Sequence, residues 1–240
     1  MASFWSLRSD TVSTYRIFSD LFFELAYVKS GSVRWKRPEG NFESSRRFLL
    51  GNFTAYLDLE FLSPDTQVLF VKLYPWTVSS FFHNPVSDFI NDAVDFEDIG
   101  LLTLEIDEQR TTEAFFNSMM DELSLRWQGE NIRSLKSMYI ENLTGELSRG
   151  GHSIRHRELL FKKHFGIPSQ SLQKLYRNRC AVEGLFQMEE GRLFDLAVDL
   201  GYYDQSHFNH EMKQYAGMPP SLIRKGMRTG NGIINVKSLF

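Results

Sequence analysis

The segment Leu193–Arg224, LFDLAVDLGYYDQSHFNHEMKQYAGMPPSLIR, constrains the fold more tightly than any other stretch of the 240 residues. Leu193, Leu196 and Ala197 fit one helix face, and Gly201 supplies a residue for which a positive φ carries little steric cost. Asp204 then stands where an N-cap accepts backbone N–H bonds, ahead of a second helix carrying Phe208 and Met212. The spacing predicts a helix-turn-helix, with small residues where the two helices cross. Every apolar run from Ser153 to Lys225 has a helical period, as does Ile132 to Leu147.

Residues 1–128 read differently, holding 23 of the 34 Phe, Tyr and Trp residues and all four tryptophans. From Thr54 to Phe61, Leu57, Leu59 and Phe61 alternate with Tyr56, Asp58 and Glu60, as in a half-buried strand; Gln67 to Tyr74 repeats the pattern. Ser63-Pro64-Asp65 between them is turn chemistry, so a hairpin is expected. Leu21 to Lys29 is an earlier strand. Val86 to Ala93 reads as a short helix, and a longer one begins after Asp107, capped by Thr111 or Thr112, carrying Phe115, Phe116, Met119, Leu123 and Trp127, and ended by Gly129. The aromatic half admits two readings: a plain hydrophobic core, or a small-molecule pocket lined by Trp35, Tyr56, Tyr74 and Trp76.

The formal net charge of −3 argues mildly against nucleic acid until it is resolved along the chain. Residues 1–149 carry 14 Lys/Arg against 22 Asp/Glu, whereas residues 150–230 carry 12 against 8. Within that second part, residues 150–180 are net +6 and residues 181–230 net −2. Such a sign change predicts two domains with different partners. One cysteine, Cys180, excludes an internal disulfide and a cysteine-based zinc site, which suits a reducing cytoplasm. No secretory signal and no apolar run of transmembrane length is visible.

Ala197, Gly201-Tyr202, Asp204-Gln205-Ser206-His207-Phe208, Gly217, Pro220 and Arg224 resemble the second helix-turn-helix of the AraC/XylS family of bacterial transcription regulators. The family pattern is an Ala, Gly-aromatic four residues later, Asp-x-Ser-x-Phe, then Gly-x-x-Pro-x-x-x-Arg. Ser153, Arg155, Phe161, Gly166, Arg177, Ala181 and Leu185 fall where the family places its first recognition helix, the following Gly and a linker helix, so the resemblance covers residues 140–226. It implies an α+β chain: a β-rich regulatory or sensor domain over residues 1–105, a connector helix over 106–130, a double helix-turn-helix over 131–228 and a tail over 229–240.

The implied function is promoter binding in successive major grooves, about 34 Å apart, under control of the N-terminal domain. Ser153, Arg155, His156, Arg157, Lys162 and Lys163 would serve the first unit; Gln205, Ser206, His207, Asn209 and His210 would serve the second. Double-stranded DNA is the implied partner, with RNA polymerase, a small-molecule or protein effector and a second copy of the chain as further ones; no cofactor, metal or catalysis is implied.

Several positions depart from the family pattern. Arg157 and Leu159 stand where the family has Leu and Arg, respectively. His210 replaces a base-facing Arg and is followed by Glu211 and Met212. These departures motivate an alternative, a degenerate helix-turn-helix protein that acts through protein–protein contacts.

Other residue patterns read as structural. His152 with His156, and His207 with His210, have helix-face spacing but no third ligand. Cys180 reads as a small packing residue, and Asp58 with Glu60 as solvated strand residues, with no nucleophile or phosphate loop beside them.

Overall fold

The computed structural model describes residues 3–38, 40–42, 46–101, 111–127, 132–145, 153–188, 192–229 and 233–234. The chain is α+β. Its N-terminal strands are β1 (Ser3–Ser9), β2 (Ser13–Ile17), β3 (Phe23–Ser30), β4 (Val33–Arg37), β5 (Gly40–Phe42), β6 (Arg47–Leu50), β7 (Leu57–Phe61), β8 (Thr66–Leu73) and, after helix α1 (Pro75–Phe81) and a 3-10 turn at Val86–Phe89, β9 (Ala93–Asp95). Helices α2 (Thr112–Arg126), α3 (Ile132–Thr144), α4 (Ile154–Phe165), α5 (Ser169–Gln187), α6 (Leu193–Asp199), α7 (Gln205–Ala216) and α8 (Pro220–Thr229) follow, and a short strand β10 (Ile233–Ile234) comes last.

The strands form two five-stranded sheets, ordered β1-β8-β3-β6-β9 and β10-β2-β7-β4-β5. Trp35, Phe48, Leu57, Leu59, Phe61, Val68 and Phe70 fill the space between them, as the inward faces of a sandwich do. The outer face of the first sheet presents Phe23, Leu25, Leu69, Val71 and Leu73 to Phe81, Phe89, Phe115, Met119 and Leu123 from the covering helices. Strand β8 is therefore buried on both faces, and its alternation reflects two apolar environments instead of core and solvent.

The hairpin expected between Thr54–Phe61 and Gln67–Tyr74 does not form. β7 pairs with β2 and β4, while β8 pairs with β1 and β3 in the other sheet. Leu59 on β7 and Phe70 on β8 enter the same cluster from opposite sides, so the turn at Ser63-Pro64-Asp65 carries the chain across the core. Alternation decides which side chains point inward and leaves the hydrogen-bonding neighbour open.

The helix expected over Val86–Ala93 also shortens to the 3-10 turn. Asn91 takes a left-handed backbone (φ 58°), its side chain accepts from the Thr54 N–H at 2.7 Å, and the chain turns into β9 against β6. The longer helix starts as expected: the Thr111 hydroxyl accepts from the Ala114 N–H at 3.2 Å. Both this helix and the next end earlier than expected. α2 stops at Arg126, ahead of Gly129, where Trp127 turns extended with its N–H on the Ser124 carbonyl. α3 stops at Thr144, short of Leu147 and before the left-handed Gly145 (φ 75°). Gly129 and Leu147 themselves lie outside the described residues.

Within the sandwich, Lys72 is fully buried and its ammonium meets Asp20, with Glu24 at 3.8 Å. Trp5 Nε1 donates to Glu24 at 3.0 Å. Burial, reinforced by the charge of Asp20 and opposed by Lys72, pushes the Glu24 carboxyl up to about 7.

A third core joins the sandwich to the helices. Phe18, Leu21 and Trp76 share it with Tyr139, Phe161, Phe165, Phe208, Met212 and Tyr215. Polar contacts reinforce this interface. The Tyr215 hydroxyl donates to the Ser19 carbonyl, and Arg16, paired with both Asp58 oxygens at 2.7 and 2.8 Å, donates to the Ala216 carbonyl at 3.3 Å. A cation at the C-terminal end of α7 is also favoured by the helix dipole. Strand β10 returns the chain to the sandwich, pairing parallel with β2 at Arg16 and Ile17.

Candidate nucleic-acid interface

The sequence places two helices of equal length at corresponding points of the C-terminal part. α4 and α7 each span 12 residues, and each begins with a side-chain cap: Ser153 Oγ accepts from the His156 N–H at 3.3 Å, and Asp204 Oδ1 from the His207 N–H at 2.7 Å. Each ends on a glycine in the left-handed region, Gly166 (φ 78°) and Gly217 (φ 70°), where an L side chain would be strained. At both glycines a Cβ would also collide with the N-terminal domain, with Ile90 and the Val86 carbonyl at Gly166 and with Tyr56 and Arg16 at Gly217. The ends of both helices are thus docked on the sandwich.

The helix before α7 forms as the sequence predicts. Ala197 is buried, the Tyr202 N–H reaches the Ala197 carbonyl at 2.9 Å, and Gly201 takes φ 73°. Between the two units runs α5, the 19-residue linker. Its first turn is capped by Glu158 of α4, which accepts from both the Ser169 N–H and hydroxyl at 3.0 Å. Nothing in the spacing of Glu158 announced that role, because the partner lies 11 residues on and around a turn.

On α4, Phe161 and Phe165 are buried, while Arg155, His156, Leu159, Lys162 and Lys163 are exposed. The exposed positions recur at helical spacing and so form one outward row. Arg157 is half-buried, turned partly away from that row. At one edge of this row a cleft of about 560 Å3 separates Leu159, Lys162 and Lys163 from Phe82, His83 and Asn84 of the N-terminal domain.

On α7, Phe208, Glu211, Met212, Tyr215 and Ala216 are buried; Gln205, Ser206 and His210 are exposed, and Asn209 and His207 are half-buried. Its charge points inward. Glu211 accepts from Arg177 at 2.9 Å and lies 3.4 Å from Lys174, both on α5. Burial alone would raise the Glu211 carboxyl, but Arg177, Lys174 and His207 together hold it below the usual carboxylate range.

His207 is bound at both nitrogens: the Tyr203 N–H approaches Nδ1 at 3.4 Å, and Nε2 lies 3.2 Å from Glu211. Arg177 also stacks over the Tyr202 ring at 4.6 Å, and the Tyr202 hydroxyl donates to Asn178 at 2.7 Å. His210 is occupied as well, with Nε2 at 3.0 Å from the Gln214 amide. Glu211, a hub of this unit, is signalled in the sequence only by its i,i+4 spacing from His207.

The four aromatic residues expected around a pocket do not line one cavity. Trp35 is in the sandwich core, edge-on to Phe48 at 5.3 Å. Tyr56 lies under Arg16 at 4.0 Å, and Tyr74 stacks on Trp76 at 4.5 Å in the interface with the helices. A small cavity of about 30 Å3 does occur in the sandwich, lined by Phe18, Asp20, Phe22, Glu24, Phe53 and Leu57, room for about one water. Cys180 is half-buried and its thiol is pushed up mainly by burial, the state of a packing residue. Among the described residues no group of three potential ligands could hold a metal ion, and no helix is long and apolar enough to cross a membrane. His152 lies outside the described residues.

Residues 148–226 match the family model of a helix-turn-helix domain, a span that runs from ahead of α4 through most of α8. No curated protein matches the chain in sequence. Among solved structures the chain is similar to ToxT from Vibrio cholerae, at 14% identity and a TM-score of 0.48, over 93% of this chain and 98% of that one. It is also similar to unsaturated fatty acid bound wild-type ToxT from the same organism, at 16% identity and a TM-score of 0.45, over 96% of each chain.

Proposed function

We propose, from the AraC-type helix-turn-helix domain at residues 148–226, that the chain is a transcription regulator that binds promoter DNA through α4 and α7 under control of its N-terminal sandwich. The observation that carries this reading is the matched pair of capped, glycine-terminated helices, each with its apolar face packed and its other face exposed. Two such helices on one monomer suit successive major grooves of one DNA face.

In α4, Arg155 and His156 read base edges, and Lys162 and Lys163 hold phosphates. Ser153 and Asp204 act first as caps. In α7, Gln205, Ser206 and Asn209 are the readers, because His207 and His210 are engaged within their own unit. The first unit therefore supplies most of the affinity. Residues 1–105 form the regulatory domain, 131–228 the DNA-binding module, and an effector would act through the interface at Arg16, Ser19 and Tyr215. The protein works in the cytoplasm and performs no catalysis.

A gel-shift titration against promoter fragments across a salt series tests the reading. Affinity should fall steeply with salt as phosphate counterions are released; absence of any salt-dependent, sequence-selective binding would refute it. In that event the alternative, a module acting through protein contacts, gains from the inward pairing of Arg177 and Lys174 with Glu211.

A further inference from the structure

We propose that Leu159 is a specificity-determining residue of the first unit, packing against the 5-methyl group of a thymine so that α4 selects a T·A pair at one fixed step. The inference rests on the DNA-binding reading above. Leu159 is 61% exposed in the middle of α4, four residues after Arg155 and three before Lys162, on the same outward row. A single exposed leucine is commonplace on a protein surface. What distinguishes this one is its position: the apolar face of the helix is already complete at Phe161 and Phe165, and cations flank the leucine along the exposed row.

Arg155 and Lys162 can satisfy phosphates or guanine edges on either side. At the centre, Leu159 offers neither donor nor acceptor, so it can hydrogen-bond to no base edge and can gain only from an apolar contact. The methyl group of thymine is the apolar feature that the base edges present in the major groove. One edge of Leu159 lines the cleft opposite Phe82, and the greater part of its side chain stays exposed to a partner outside the cleft. Glu158 next to it caps α5, which keeps its carboxylate from the groove floor.

The test uses the full chain and a DNA site selected by it from a random-sequence pool. Thymines of that site are replaced one at a time by deoxyuridine, which removes only the methyl group. One replacement should weaken the wild type about fourfold, the effect of withdrawing one buried methyl. Leu159→Ala should bind the thymine and deoxyuridine sites equally, and Leu159→Arg should shift the preference at that step to guanine. Both substitutions are at an exposed position, and an unchanged thermal midpoint confirms the fold.

Sequence-selective binding by the wild type with no sensitivity to any deoxyuridine overturns the inference alone. So does a Leu159→Ala protein that keeps the thymine preference, or one weakened equally on every DNA, which would place Leu159 in closure of the cleft on Phe82. If the wild type shows no salt-dependent DNA binding, the functional reading falls and this inference with it.

Discussion

Helices α4 and α7 share their length, their kind of cap and their glycine stop, yet Arg155, His156, Lys162 and Lys163 of α4 face outward while Glu211 of α7 draws Arg177 and Lys174 inward. Identical backbone devices thus support opposite uses of charge. The units are alike where the fold needs them to be, in the caps, the stops and the buried apolar residues eight positions after each cap, Phe161 and Met212, and they differ on the surfaces that would meet a partner. Packing and recognition are therefore separable here. The comparison can be broken at either level.

The largest effect should fall on packing, equally in both units. Phe161→Ala and Phe208→Ala each remove a ring that is at most 1% exposed and should each cost about 3–5 kcal/mol in chemical denaturation. A large inequality would show that one unit contributes little to the shared core. On recognition the units should part. Arg155→Ala should weaken DNA binding about tenfold, within the range of one lost base or phosphate contact, whereas His207→Ala and His210→Ala should each stay within about threefold, since internal partners already engage those imidazoles. Titration by fluorescence anisotropy ranks them; the reverse order would reassign the affinity to α7.

Glu211 allows a finer test of the second unit. Glu211→Gln keeps the shape but weakens the pairing with Arg177 and Lys174. Both cations are partly exposed, at 31% and 44%, so screening limits the expected loss to about 1 kcal/mol. The sign with pH follows from the depressed carboxyl. Glu211 binds protons more weakly folded than unfolded, so its contribution is complete above the unfolded carboxylate range and disappears as pH falls through the folded value. Melting curves of wild type and Glu211→Gln should converge in acid and separate toward neutral pH. The freed cations should also steepen the salt dependence of DNA binding.

The local elements were legible because the signals behind them are local. Thr111, Ser153, Asp204, Gly166, Gly201 and Gly217 all act where their chemistry indicates, since a cap or a left-handed turn depends on a few neighbouring residues. What depended on distant pairing was not legible. The turn at Ser63-Pro64-Asp65 is present, but alternation in β7 and β8 could not reveal that the strands face each other across a core. The aromatic set split for the same reason: Trp35 on β4 enters the core between the sheets and Trp76 on α1 enters the core shared with the helices, a division set by tertiary placement. In the site, the exposed row of α4 followed from helical period, whereas the roles of Glu158 and Glu211 depend on α5, whose placement against both helices is tertiary.

The caps provide the smallest and most symmetrical test. Ser153→Ala and Asp204→Ala each leave backbone N–H groups of a first turn without a side-chain acceptor, and each should cost about 1 kcal/mol by thermal unfolding. Their effects on DNA should still differ. Fraying the start of α4 disturbs Arg155 and His156 directly, so Ser153→Ala should weaken binding by more than its stability cost alone suggests. In α7 the first turn is also held by the contact of His207 with the Tyr203 N–H and by its pairing with Glu211, so Asp204→Ala should change affinity little. Equal losses of DNA affinity at matched losses of stability would mean that both recognition helices bear on the DNA alike, and would erase the asymmetry that separates α4 from α7.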